Sequence, residues 1–279
     1  MTVCNLIHNA SIFLKKKRIQ SALLDSEIIL SNFMKVSREN LLLNDKMKVS
    51  KKIKDKFQSA IERRSENEPV AYIVKKKEFW SMDFLVNDST LVPRPETELL
   101  IEKTLKIFSN KKINILDIGT GSGCILLSLL KELPQSKGIG IDISKEALKI
   151  ATKNSKKLKL NNRAKFIKSD IGKFKSKKFD LVISNPPYIN FKDLNSLSKD
   201  ILKYEPITAL NGGIDGLDVI KKVIYKSSKL LKKNGLLAIE IGSNQYKKVS
   251  KILGNNELKE IVKVLDFETN VRCIISTKK

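Results

Sequence analysis

The sequence predicts an α/β protein. Its sheet is mostly parallel, covered by helices on both faces and closed by an antiparallel C-terminal hairpin; a small all-helical N-terminal domain is joined to it by a β-hairpin. Three observations predict this. From Lys112 onward, short β-branched runs alternate with stretches of helical periodicity, as in a parallel sheet with crossover helices. The apolar spacings before about residue 66 are those of helices. The last two β-rich runs, 260–267 and 271–276, are separated by Glu268-Thr-Asn270 and read as a hairpin.

Taken in order, Ser21–Met34 places Leu23, Leu24, Glu27, Ile28 and Leu30 on overlapping helical faces. Ser37 can cap a short helix through Leu43, and Lys51–Arg64 is a basic helix with Ile53, Phe57, Ala60 and Ile61 on one side. Pro69 bars its continuation. Glu78–Val86 alternates aromatic and polar residues around a turn near Ser81–Asp83, which predicts a hairpin. Pro93 and Pro95 bracket Arg94 in extended backbone, and Glu96 opens a helix at its favourable amino end. Strands are then predicted at 113–118, 138–143, 164–169, 179–184 and 236–241, with helices at 123–133, 145–158 and 217–231. The expected organisation is a helical docking domain (1–75), a hairpin linker (76–92) and a large domain (93–279).

A chain of 279 residues with 41% hydrophobic and 30% charged residues has ample material for a globular core. Its net charge of +24 could favour nucleic acid or an acidic partner. Against that, arginine occurs only at 18, 38, 63, 64, 94, 163 and 272, and the lysines are spread along the whole chain without a patch. Cys4, Cys124 and Cys273 form no C-x-x-C, and His8 is the only histidine; neither a zinc site nor a Ser-His or Cys-His nucleophile is indicated. No apolar run approaches the ~20 residues of a membrane span, and the order of apolar and basic residues at the N-terminus reverses that of a signal peptide, so a cytoplasmic location is expected.

Two stretches carry chemistry. Asp117-Ile-Gly-Thr-Gly-Ser-Gly123 lies between the first strand and helix of the alternating region, where glycines let the backbone approach a ligand and present N–H groups. Cys124 stands where a dinucleotide fingerprint needs its third glycine, and there is no G-K-[ST] of a P-loop. Asp142 and Asp170 end the next two strands; the first suits a ribose diol, and the second lies beside apolar Ile171. The other stretch is Asn185-Pro-Pro-Tyr188, at the carboxyl end of the strand 179–184. Prolines forbid continuation of a central strand and leave the nearby carbonyls free. An amide oxygen beside a free carbonyl can accept both N–H groups of a planar amine, and a tyrosine ring can cover it. A strand followed by a proline-rich turn of no function remains the alternative at this point.

Together these stretches resemble the S-adenosylmethionine site and the amino-directed motif of Rossmann-like class I methyltransferases. Asn185–Tyr188 is shared with DNA adenine and RNA guanine methylases, but other segments are more selective. Pro69-Val-Ala-Tyr-Ile73, Glu78-Phe-Trp80, Leu91-Val-Pro-Arg-Pro-Glu-Thr-Glu98, Tyr204-Glu-Pro206 and Gly212-Gly-Ile-Asp-Gly-Leu217 resemble the release factor glutamine methyltransferase family along most of its length. Ile171 departs from the aromatic of some members, and Lys75 from the glycine of many. The resemblance implies transfer of a methyl group from S-adenosylmethionine to the side-chain amide (N5) of the glutamine in the Gly-Gly-Gln loop of peptide chain release factors. It implies a cofactor site of Gly119, Thr120, Gly121, Ser122, Gly123, Asp142, Asp170, Ile171 and Asn185. Asn185, Pro186 and Tyr188 would be catalytic, Pro187 would join them against the substrate, and no metal would be needed. A monomer without membrane or nucleic-acid substrate is expected. The rivals are an amino-directed methyltransferase acting on DNA, RNA or a ribosomal protein, and a cofactor-binding protein without catalysis.

Overall fold

The computed structural model describes residues 1–266 and 268–279; Phe267, the expected end of the penultimate strand, lies outside the described residues. The chain divides into two compact units, Met1–Lys76 with Ser198–Tyr204, and Lys77–Leu197 with Glu205–Lys279.

The first unit is built on helices α1 (Val3–Lys16), α2 (Ala22–Met34), α3 (Arg38–Leu43), α4 (Lys51–Ser65) and α5 (Val70–Val74). Thr2 and Ser37 cap α1 and α3 by accepting the N–H of Asn5 and of Asn40. The core gathers Leu14, Ile29, Leu30, Leu41 and Phe57. Here α2 departs from expectation: Leu23 and Leu24 are exposed, and the buried face is Asp25, Ser26, Ile29 and Leu30. Ion pairs account for the rotation, because Arg64 Nε meets Asp25 Oδ2 at 2.7 Å and Arg38 Nε meets Glu27 Oε2 at 2.6 Å. Helix α5 was not foreseen. Lys75 caps it in the left-handed region (φ 59°), the conformation that glycine takes without strain.

The second unit begins at Lys77, within the first strand of the hairpin β1 (Lys76–Phe79) and β2 (Met82–Leu85), which is followed by α6 (Glu96–Phe108). Its alternating region runs β3 (Asn114–Ile118), α7 (Cys124–Glu132), β4 (Lys137–Asp142), α8 (Lys145–Lys157), β5 (Ala164–Lys168) and β6 (Phe179–Ser184). Helix α9 (Lys199–Tyr204) interrupts the order and clusters with the first unit, where the Tyr204 hydroxyl donates to Glu66 O. Then come α10 (Asp218–Leu230), β7 (Leu231–Glu240), α11 (Tyr246–Asn255), β8 (Leu258–Leu265) and β9 (Val271–Lys278).

The hairpin turns one residue earlier than expected, with Trp80 and Ser81 both at positive φ. A two-residue turn of this hand matches strand twist. Its strain at Trp80 is held by two glutamates: Glu98 takes the backbone N–H, and Glu132 takes the indole N–H.

The large sheet has the order β5-β4-β3-β6-β7-β9-β8, parallel from β5 to β7, with β9 antiparallel to both neighbours. Side chains alternate between its faces. Ile115 and Ile183 join a core with Leu100 of α6 and Leu126 of α7, whereas Leu116 and Val182 join one with Ile220 of α10 and Val249 of α11. Both faces are thus covered. Strand β7 begins five residues before the expected run, because Leu231 still pairs with Phe179 before the register shifts to Leu236 opposite Leu181. Strand order reverses between β3 and β6, and ligands bind at such a crevice beyond the strands' carboxyl ends.

Candidate active site

Ile118 and Ser184 are cross-strand partners at the ends of β3 and β6, and Ser184 Oγ donates to Ile118 O at 2.7 Å. The glycine loop and Asn185 therefore leave the sheet side by side. In the loop, Gly119, Gly121 and Gly123 all have positive φ, and a side chain at Gly119 would meet nothing within 4 Å. One face of the loop is open to a ligand.

The loop's N–H groups are not offered outward as expected. Those of Gly119 and Thr120 both donate to Ile141 O, that of Gly121 to Asp142 Oδ2, and that of Gly123 to Thr120 O. The Thr120 hydroxyl is turned inward, donating to Asp117 Oδ2 at 2.6 Å. Ser122 is buried, and its carbonyl accepts from Asn154 Nδ2, which also binds Leu85 O. The hairpin thereby braces the loop. A phosphate nest needs a run of free N–H donors; this loop spends those of Gly119, Thr120, Gly121 and Gly123 internally.

Acid groups surround it. Asp142 is half-buried, and each carboxylate oxygen holds one N–H, from Gly121 and Ser144, at 2.9 Å. A lone pair on each oxygen is left for a diol. Burial raises the Asp142 pKa against the lowering by these N–H groups. Asp117 is wholly buried, with Oδ1 lacking a partner among the described residues; desolvation is the main cause that pushes it up to about 7. Asp170 is exposed and accepts the Gly172 N–H, while Ile171 is half-buried beside it. Ile143, directly after Asp142, is 55% exposed and adds apolar surface that the sequence had placed inside a strand.

At the end of β6, Asn185, Pro187 and Tyr188 are half-buried and Pro186 is buried. Among the described residues no hydrogen bond reaches the Pro186 carbonyl. Behind these residues lies a polar set that the sequence did not announce. Asn185 Nδ2 donates to Thr97 Oγ1 at 3.1 Å, and Thr97 Oγ1 donates to Glu240 Oε2 at 2.7 Å. Tyr188 donates to Glu240 Oε1 at 3.3 Å and accepts from Arg272 Nη2 at 3.0 Å. The Arg272 guanidinium also lies 5.2 Å from the Tyr188 ring centroid, which occupies one face of that ring. Desolvation chiefly raises both the Glu240 and the Tyr188 pKa. The available signal was Glu240 itself, a carboxylate inside the apolar run Leu236–Ile241.

The turn after Tyr188 is fixed by two glycines. A Cβ on Gly216, at φ 72°, would come within 2.4 Å of Tyr188 O, and one on Gly212 within 2.8 Å of Pro187 O. Gln245 Nε2 bridges Tyr188 O and Gly216 O. The stretch Gly212–Leu217 is thus the outer wall of Asn185–Tyr188.

A family model described as the PrmC N-terminal domain matches residues 5–74, and one described as a methyltransferase domain matches residues 109–274. The release factor glutamine methyltransferase of Buchnera aphidicola subsp. Schizaphis graminum is 41% identical over 255 residues, 91% of this chain and 92% of that relative. The chain belongs to the release factor glutamine methyltransferase family. The Fusobacterium nucleatum relative of the same description is 37% identical, over 98% of this chain and 78% of its own. A solved methyltransferase from Pyrococcus furiosus, 19% identical, shares the fold with a TM-score of 0.53 over 79% of this chain and 97% of its own.

As a member of this family the chain is an S-adenosylmethionine-dependent methyltransferase. Its site fits that cofactor on its own chemistry: a glycine cradle with one open face, carboxylates beside it for a sulfonium, and in Asp142 a spare lone pair on each oxygen.

Proposed function

We propose that the chain methylates the side-chain amide nitrogen (N5) of the glutamine in the Gly-Gly-Gln loop of peptide chain release factors. The observation that carries this is Asn185 beside an unbonded Pro186 carbonyl, next to the glycine loop, in a chain related over nine-tenths of its length to release factor glutamine methyltransferases.

The cofactor would be held by Gly119–Gly123, with Asp142 on its ribose and Asp170 and Ile171 at its adenine, and it supplies a methyl group on positively charged sulfur. Asn185 Oδ1 and Pro186 O accept the two amide N–H groups of the substrate. Holding both fixes the amide plane, so the nitrogen's lone pair, which lies perpendicular to that plane, is aimed at the methyl donor; orientation is the main catalytic contribution. Pro187 and Tyr188 line the same substrate pocket. No general base stands at the amide: Asn185 cannot take a proton, and Glu240 is screened behind Thr97. The proton leaves afterwards to water. The helical first unit docks the release factor body, and the chain acts as a cytoplasmic monomer on protein rather than nucleic acid.

Labelled cofactor incubated in parallel with a release factor, duplex DNA and RNA tests this. Label should enter the release factor alone and vanish when its Gly-Gly-Gln glutamine is replaced. Label in nucleic acid with none in the release factor refutes the proposal.

A further inference from the structure

An asparagine amide presents an acceptor at one end and two donors at the other. For Asn185 to receive an NH2 group, its oxygen must face the substrate; the flipped amide would set N–H against N–H. Nothing in Asn185 itself enforces that choice. The buried set behind it does.

With Glu240 ionised, the form that the charge of Arg272 favours against desolvation, the proton count runs in one direction. Arg272 Nη2 can only donate, so the Tyr188 oxygen accepts from it and turns its own proton to Glu240 Oε1. Glu240 Oε2 takes the proton of Thr97. Each carboxylate oxygen then holds one O–H donor. Thr97 has spent its single proton, so at 3.1 Å from the Asn185 amide it can only accept. That places Nδ2 inward and Oδ1 outward. Thr97 and Glu240 are almost fully buried, at 3% and 0% exposure, so water does not substitute for these partners.

We propose that Thr97 and Glu240 are positioning residues that lock the Asn185 amide with its oxygen toward the reacting NH2 group. This rests on Asn185 being the acceptor for that group, as proposed above. Thr97 is placed for it by the first turn of α6, and Glu240 by β7, where its neighbour Ile239 pairs with Ser184.

The test is a double-mutant cycle in the full chain. Thr97→Val keeps the shape and removes the hydroxyl, freeing the amide to flip; kcat should fall by ~10- to 10²-fold, the scale set by lost orientation. The KM for the protein substrate and the cofactor Kd by calorimetry should stay within a few-fold. Thr97→Ser should restore kcat. In an Asn185→Asp background both ends of residue 185 are acceptors, so adding Thr97→Val should cost less than about threefold, because orientation no longer matters. A merely structural Thr97 would cost the same in both backgrounds, and that result overturns the proposal, as does wild-type kcat in Thr97→Val. Either result leaves the substrate assignment standing as long as the wild type labels the release factor. If the wild type labels DNA or RNA instead, the substrate assignment fails, and the same cycle run on that amino substrate decides the role of Thr97. Glu240→Gln supplies a second arm: it puts an N–H donor against Thr97 or Tyr188, and should lower kcat with the cofactor Kd held within a few-fold.

Discussion

Arg94 donates from Nη2 to Glu205 Oε1 at 2.6 Å, joining residues 111 apart in sequence, and the other carboxylate oxygen of Glu205 accepts the Val92 N–H at 3.2 Å. Glu205 therefore fixes the chain just ahead of α6, whose first turn carries Thr97. The Glu205 side chain is 2% exposed and that of Arg94 33%. Arg94→Ala leaves a buried carboxylate without its guanidinium. The expected loss of stability is ~2–3 kcal/mol, below the ~3–5 of a fully buried pair because Arg94 is one-third exposed. Urea unfolding measures it, and a change within 0.5 kcal/mol would show that the pair adds little to stability.

Asp142 is the proposed ribose acceptor. Asp142→Ala removes a charge-assisted, two-pronged acceptor and should cost ~1.5–3 kcal/mol of cofactor binding. Desolvation holds the Asp142 carboxyl above its usual range, so it takes up a proton at a higher pH than an ordinary aspartate. Once protonated it accepts less well, and wild-type affinity should weaken as pH falls through that raised value. Calorimetry across pH should show this trend in wild type and a flatter one in Asp142→Asn. Unchanged affinity in Asp142→Ala would remove the ribose from this carboxylate.

Asp117 carries the opposite kind of pH signature, one of stability. Its carboxyl is pushed from 3.8 up to about 7, so the folded state holds a proton that the unfolded chain has already lost. The resulting stabilisation is complete below 3.8 and is lost as pH rises to about 7. The stability of wild type relative to Asp117→Asn should therefore decline over that interval. Denaturant titrations at several pH values read the difference, and parallel curves for the two proteins would contradict a buried, protonated Asp117.

Much of this was legible because period and punctuation survive in sequence. The strand end at Ser184, the glycine loop and the break at Pro186 all follow from β-branched runs and residues that stop them. What was hidden depends on partners far along the chain. The face of α2 was misjudged because Arg64 and Arg38 pay for burying Asp25 and Glu27. The early start of β7 was masked by polar Lys232–Asn234, which ride on a register shift. The turn at Trp80 needs two glutamates from other elements to hold its left-handed backbone. Thr97 is unremarkable inside Arg94-Pro-Glu-Thr-Glu98 until Glu240 lies 2.7 Å away. Lys75 shows a converse case: the departure from glycine, visible in sequence, falls on a left-handed helix cap.

Asn185 is where the fold becomes chemistry. Its Nδ2 is committed to Thr97, which leaves Oδ1 as the acceptor, on a residue that leaves the sheet beside the glycine loop. Asn185→Ala deletes that acceptor, so in the proposed clamp one substrate N–H would lose its partner and the nitrogen would rotate away from the line of attack. Misorientation of this kind can cost ~10²-fold or more in rate. The proposed cofactor contacts, at Asp142 and the loop, are untouched, so cofactor affinity should remain within a few-fold of wild type. Asn185→Asp keeps an acceptor oxygen in the same place while adding a negative charge, and it should retain more turnover than the alanine variant. Single-turnover transfer to a release factor, with cofactor Kd measured on the same preparations, separates orientation from binding. Normal turnover in Asn185→Ala would exclude the acceptor role. An aspartate variant as inactive as alanine with cofactor still bound would show that the amide's neutral charge, rather than its oxygen, is what the reaction requires.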